Sequence, residues 1–227
     1  MKPETRAAQA LGHIDPTTRA LVPPIYPSTT FERDADGTYP AGFEYTRADN
    51  PGYELPERLL AELEAGSRAM LFASGMAAAT SVFCALVPGD HVVVPKVMYW
   101  ALRKWIGEFA MTWGISVSFV DTSEPAEVIA AIRPGDTRIV WIETPANPTW
   151  QITDIRAMAD IAHDAHALLV VDSTIATPVH TRPIEHGADL VVHSATKYLN
   201  GHSDVLAGAV VAAVDDPFVQ RIRAWRR

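Results

Sequence analysis

One lysine in this sequence sits among hydroxyls directly after an apolar run. Leu190-Val191-Val192-His193 leads into Ser194-Ala195-Thr196-Lys197-Tyr198-Leu199-Asn200-Gly201-His202-Ser203-Asp204. A lysine at such a strand end can hold an aldehyde cofactor as a Schiff base, while Ser194 and Thr196 can hydrogen-bond a phosphate on the same ring. Upstream, Leu168-Leu169-Val170-Val171-Asp172 reads as a buried strand that ends in a carboxylate. An acid there can keep a pyridine nitrogen protonated, so that the ring accepts electrons from a bond broken in an amino acid. Taken singly, Asp172 is more simply a helix cap and Lys197 a solvated amine. At successive strand ends the joint reading is the better one, and together they point to pyridoxal phosphate (PLP).

The elements that must hold these residues follow a regular punctuation. Val87-Pro88-Gly89-Asp90 and Arg133-Pro134-Gly135-Asp136 each release a helix-like segment into an apolar strand. Strands are expected at 68–72, 91–95, 116–120, 138–143, 168–172, 190–193 and 208–214, mostly as continuous apolar runs of the kind buried on both faces. Helical patterns fill 55–65, 75–86, 99–113, 124–132 and 154–166. This order implies an α/β fold with a mostly parallel seven-stranded sheet and helices on both faces, which binds ligands beyond the carboxyl ends of its strands. After the first strand, Ser74-Gly75-Met76 opens an alanine-rich helix, so the amides of Gly75 and Met76 form an anion site or, more plainly, a capped helix start. After the fourth strand, prolines stiffen a loop that presents Asn147 to the same edge. Residues 1–55, rich in proline, glycine and aromatics, read as an extended arm that packs on a second subunit; residues 56–227 read as the cofactor-binding domain.

Composition narrows the function classes. The chain has 227 residues, 48% of them hydrophobic and 20% charged, which suits one large globular domain. A net charge of −8, with basic residues clustered only at 221–227, argues against nucleic acid, and that basic tail reads as a solvated helix face. Cys84 is the single cysteine, so no intramolecular disulfide can form; a reducing compartment fits, and the residue reads as core packing. No apolar core of signal-peptide length opens the chain and no stretch approaches the roughly 20 apolar residues of a membrane span, so a soluble cytoplasmic protein is expected.

With these residues in hand, the chain resembles the cystathionine-metabolising group of PLP enzymes: cystathionine gamma-synthase, gamma-lyase and beta-lyase, methionine gamma-lyase and the homoserine sulfhydrylases. The resemblance runs from Pro23-Pro24-Ile25-Tyr26-Pro27 to Leu206-Ala207-Gly208. It includes the arm motif Tyr45-Thr46-Arg47-Ala48-Asp49-Asn50-Pro51, the phosphate turn Ser74-Gly75-Met76-Ala77-Ala78 and the lysine motif, the most specific of the three. It implies the large domain of the aspartate-aminotransferase-like fold in a tetramer built from dimers, with active sites shared across a dimer interface. In that frame Lys197 is the Schiff-base lysine, and its freed amine later moves protons between substrate and cofactor carbons. Asp172 partners the pyridine nitrogen, with Thr174 steadying it. Ser194, Thr196, Gly75 and Met76 bind the phosphate, while Tyr45 and Arg47 reach it from the neighbouring subunit and Tyr45 also meets the substrate. Tyr99 stacks on the ring and exchanges a proton; Asn147 contacts the ring hydroxyl or the substrate carboxylate. The implied reactions are gamma-replacement or elimination on sulfur amino acids or activated homoserine.

Two departures from the family pattern stand out. Tyr99 is followed by the bulky Trp100 and preceded, three residues earlier, by Lys96. The resemblance also implies a smaller C-terminal domain with an arginine for the substrate carboxylate, which this sequence lacks; a cofactor-free fragment serving only in assembly is therefore the rival reading. A zinc enzyme built on His163 and His166 is disfavoured, because no third ligand of matching geometry lies nearby. A dinucleotide-binding protein is disfavoured too, because no glycine-rich fingerprint follows the first strand.

Overall fold

The computed structural model describes residues 2–226. Short apolar runs between turns become β1 (Arg68–Phe72), β2 (His91–Pro95), β3 (Ser116–Val120), β4 (Thr137–Glu143), β5 (Leu168–Asp172), β6 (Leu190–His193) and β7 (Gly208–Ala212). They form one sheet in the order β1-β7-β6-β5-β4-β2-β3. The pairs from β3 across to β6 are parallel, and β7, between β1 and β6, runs antiparallel to both. The Pro-Gly-Asp turns work as their composition dictates: Gly89 and Gly135 take φ of 96° and 86°, values that glycine adopts without a Cβ penalty. The Asp90 carboxylate then accepts the Val87 N–H at 2.9 Å.

Helices cover both faces, as two-sided burial of β2, β6 and β7 requires. On one face α3 (Gly75–Cys84), α4 (Trp100–Trp113) and α8 (Pro217–Ala224) pack Phe83, Leu102, Ile106 and Ile222 against Val92, Trp141 and Val210. Trp141 is fully buried, its ring 5.1 Å from that of Phe83. On the other face α5 (Pro125–Ala131) and α6 (Ile155–Asp164) cover Val140, Leu169 and Val171, and α2 (Pro51–Leu63) covers Val191 and Val211. Short helices α1 (Pro3–Ala8) and α7 (Thr177–His180) complete the set. No described helix is long and apolar enough to cross a membrane.

Some boundaries differ from the sequence expectation. Helix α2 starts at Pro51 rather than 55, because Asn50 caps it by accepting the Gly52 N–H at 2.7 Å and Pro51 takes the first helical position. The basic tail is not simply a solvated face: Arg226, its side chain 7% exposed, pairs with Asp49 and Glu57, and Arg223 also reaches Asp49. Those partners lie more than 160 residues away, beyond the reach of any local pattern. Cys84 is half-buried in α3, and burial pushes its thiol above the usual range.

Candidate active site

Because β4, β5 and β6 run parallel, their last residues Glu143, Asp172 and His193 reach the same edge of the sheet. β1 ends there too, at Phe72, and Gly208 opens β7 opposite it. A cavity of about 1110 Å³ lies along this edge, lined among others by Gly75, Met76, Tyr99, Asn147, Asp172, Thr174, Ser194, Thr196 and Lys197. Residues scattered over more than 120 positions of sequence thus meet at one site.

At one end the backbone forms a cradle. Ser74 caps α3 by accepting the Ala77 N–H at 3.0 Å, and the amides of the first helical turn have no intrahelical partner. Gly75 lies so close to the β6 exit that a Cβ there would stand 2.7 Å from Ser194 Cβ and Oγ. A Cβ on Gly208 would overlap the Ser74 carbonyl oxygen. Both glycines let three chain segments close around a space rimmed by N–H and hydroxyl donors. Thr196 is partly committed elsewhere, since its hydroxyl donates to Ala207 O and accepts the Ala207 N–H, both at 3.0 Å. Donation from Thr196 to an anion takes a rotation away from that carbonyl.

At the other end stand the carboxylates. Asp172 Oδ1 accepts the Thr174 N–H at 3.0 Å, and the Thr174 hydroxyl also bonds it. The same Thr174 Oγ1 accepts the Ser194 N–H at 2.8 Å, linking the acid to the loop that carries Lys197. Burial pushes the Asp172 carboxyl above its ordinary range; the Thr174 bonds and the neighbouring His193 oppose the shift. Glu143 has its pKa raised to about 7, first by burial and then by the charge of Asp172 beside it. Sequence reasoning did not single out Glu143 as a site residue, although it ends β4 as Asp172 ends β5.

Behind the site, His193 Nε2 lies 2.5 Å from Glu64 Oε1, and both side chains are fully buried. This pair fastens the end of α2 to the end of β6. Lys96 turns away to Glu127 at 2.8 Å, and Trp100 is 70% exposed and outside the cavity lining. Tyr45 and Arg47 do not line this cavity either; Tyr45 bridges to Thr30 in the arm, and the Arg47 guanidinium lies 4.8 Å from the Tyr45 ring centre. His163 is engaged with Asp189 at 3.0 Å.

A mostly parallel α/β sheet with a lysine, a half-buried acid and a glycine-lined anion cradle at one strand edge defines a PLP-dependent enzyme domain. The family model for Cys/Met metabolism PLP-dependent enzymes matches residues 4–227, and the chain belongs to that family. Cystathionine gamma-lyase of Bacillus subtilis is 46% identical over 199 residues, 88% of this chain and 52% of that protein. Cystathionine beta-lyase of Coxiella burnetii is 39% identical over 221 residues, 97% of this chain and 57% of that one. The crystal structure of cystathionine gamma synthase from Xanthomonas oryzae pv. oryzae, in complex with aminoacrylate and cysteine, superposes with a TM-score of 0.92 at 37% identity, covering all of this chain and 58% of that one. The chain spans about half the length of the curated relatives it matches. The cofactor of the family is PLP, and the donor set fits it: N–H and hydroxyl groups at the cradle, one amine, and a recessed acid.

Proposed function

We propose that this chain is the PLP-binding part of a transsulfuration enzyme that carries out gamma-replacement or elimination on sulfur amino acids or activated homoserine. The observation that carries the reading is the shared cavity of Lys197 and Asp172, with the Gly75–Ser194 cradle beside them. When bound, PLP supplies an electron sink for the bond broken at the substrate's alpha carbon. Asp172, braced by Thr174, holds the proton on the ring nitrogen. The amides of Gly75 and Met76 and the hydroxyls of Ser194 and Thr196 hold the phosphate. Tyr99 covers a ring face, and Asn147 meets the ring hydroxyl or the substrate carboxylate. Lys197 Nζ would hold the cofactor's aldehyde carbon and would carry a proton between carbons of the substrate.

The working unit in this proposal is a homotetramer made of dimers. A second groove of about 1310 Å³ adjoins the cavity, lined by apolar side chains such as Leu59, Leu63, Ile152 and Val179 and sharing Trp150 and Tyr198 with it. A second copy covering that groove would bring the arm's Tyr45 and Arg47 to its neighbour's phosphate, where a guanidinium fork pairs with two oxygens at once. The single cysteine suits a reducing, cytoplasmic setting. The test is a substrate panel: cystathionine, methionine, and O-acyl homoserine with cysteine or sulfide, offered with PLP. Conversion of at least one, lost in Lys197→Ala, is expected. No cofactor bound and no turnover of any of them would favour a cofactor-free part that serves only in assembly.

A further inference from the structure

One carboxylate holds two walls of the cavity at once. Glu143 is 6% exposed at the end of β4. Its Oε2 accepts the N–H of Tyr99 and its Oε1 the N–H of Asn147, each at 2.8 Å. Tyr99 is the residue from which α4 starts, and no side chain of its own caps that helix. Asn147 lies four residues beyond Glu143, in the loop that leaves β4. The two donors therefore belong to different segments, and a single side chain sets where both stand. Glu143 is also in register with Asp172, on the face of the sheet that Trp141 and Val170 share with α3 and α4. The N–H bonds pull its pKa down against burial and Asp172, as bonds made to the ionised form do.

We propose that Glu143 is a positioning residue: by tying the backbones of Tyr99 and Asn147 together it sets where the Tyr99 ring stands over the cofactor. The tie itself stands on the two hydrogen bonds; its consequence for the cofactor rests on the PLP reading above. No other described side chain is bonded to both segments.

Amide hydrogen exchange on the cofactor-free chain tests the tie. In Glu143→Ala the Tyr99 and Asn147 amides should exchange at least ~tenfold faster while β4 amides keep their protection, because each loses its bond to a carboxylate. Glu143→Gln, isosteric but with a single acceptor oxygen, should restore protection at one of the two. Unchanged exchange at both amides overturns the proposal. A double-mutant cycle on PLP affinity then tests the consequence. Glu143→Gln and Tyr99→Ala should each weaken PLP by about tenfold, and the double variant by far less than the product. Fully additive losses overturn the positioning role, since general loosening of the fold predicts them. A wild-type chain that takes up no PLP sinks the cofactor reading instead, and the exchange rates still decide the tie.

Discussion

Burial shifts two side chains of neighbouring strands in the same sense, away from charge, with opposite consequences for stability. Glu143 on β4 is raised to about 7, so the folded chain keeps a proton that the unfolded chain has lost. Its contribution is complete below about pH 4.5 and disappears as pH rises through about 7. His91 on β2, held between Thr137 Oγ1 at 2.8 Å and Ser118 Oγ at 2.9 Å, is lowered to about 4 by burial and by Arg133. It therefore favours the folded state above about pH 6.5 and ceases to do so as pH falls through 4. Urea unfolding at pH 5 and pH 8 separates the two: relative to Glu143→Gln, the cofactor-free wild type should lose on the order of 3 kcal/mol between those values. Equal pH dependence in the two proteins contradicts a proton held at Glu143. Lys197 and Asp172 were legible in the sequence because each follows an apolar run that could only be a strand. Glu143 carries the same signal, hidden in a proline-rich loop motif. The Glu64–His193 pair was not legible, since 129 residues separate partners that meet only through the sheet.

The strands were the most readable elements, with five of them starting and ending where the apolar runs do: β1, β2, β3, β5 and β6. Helix starts were harder wherever proline stands inside the pattern, as at Pro51 and Pro56 of α2. Helix α8 starts at Pro217, and the Asp216 carboxylate before it accepts the Val219 N–H at 2.9 Å, a start signal overshadowed by the basic residues behind it. What no element pattern could show is how closely β7 approaches the turn before α3. Gly208→Ala puts a methyl group on the Ser74 carbonyl, and backbone on both sides leaves it no room. A loss of about 1–3 kcal/mol in thermal unfolding is expected, with weaker PLP retention. Gly107→Ala is the control: it lies within α4 with nothing within 4 Å, and should stabilise by up to about 1 kcal/mol. Equal effects of the two substitutions contradict a cradle closed by Gly208.

Across the whole molecule, the arm and the cavity are separate features of one chain. Ile25 is 93% exposed, and Tyr45 and Arg47 stand away from the cavity. If the arm serves a neighbour, Arg47→Ala chains lose PLP retention but regain it on mixing with Lys197→Ala chains, because each mixed dimer then has one intact site. Loss of retention in Arg47→Ala with no recovery on mixing would falsify a shared site. The chain has four lysines, Lys2, Lys96, Lys104 and Lys197. Lys96 is paired with Glu127 and Lys104 lies 3.9 Å from Glu108, whereas Lys197 lines the cavity. The most direct measurement is to load the chain with PLP, reduce with borohydride and map the modified peptide. A single adduct on Lys197 is the predicted result; labelling spread over Lys2, Lys96 and Lys104, or no adduct at all, would contradict it.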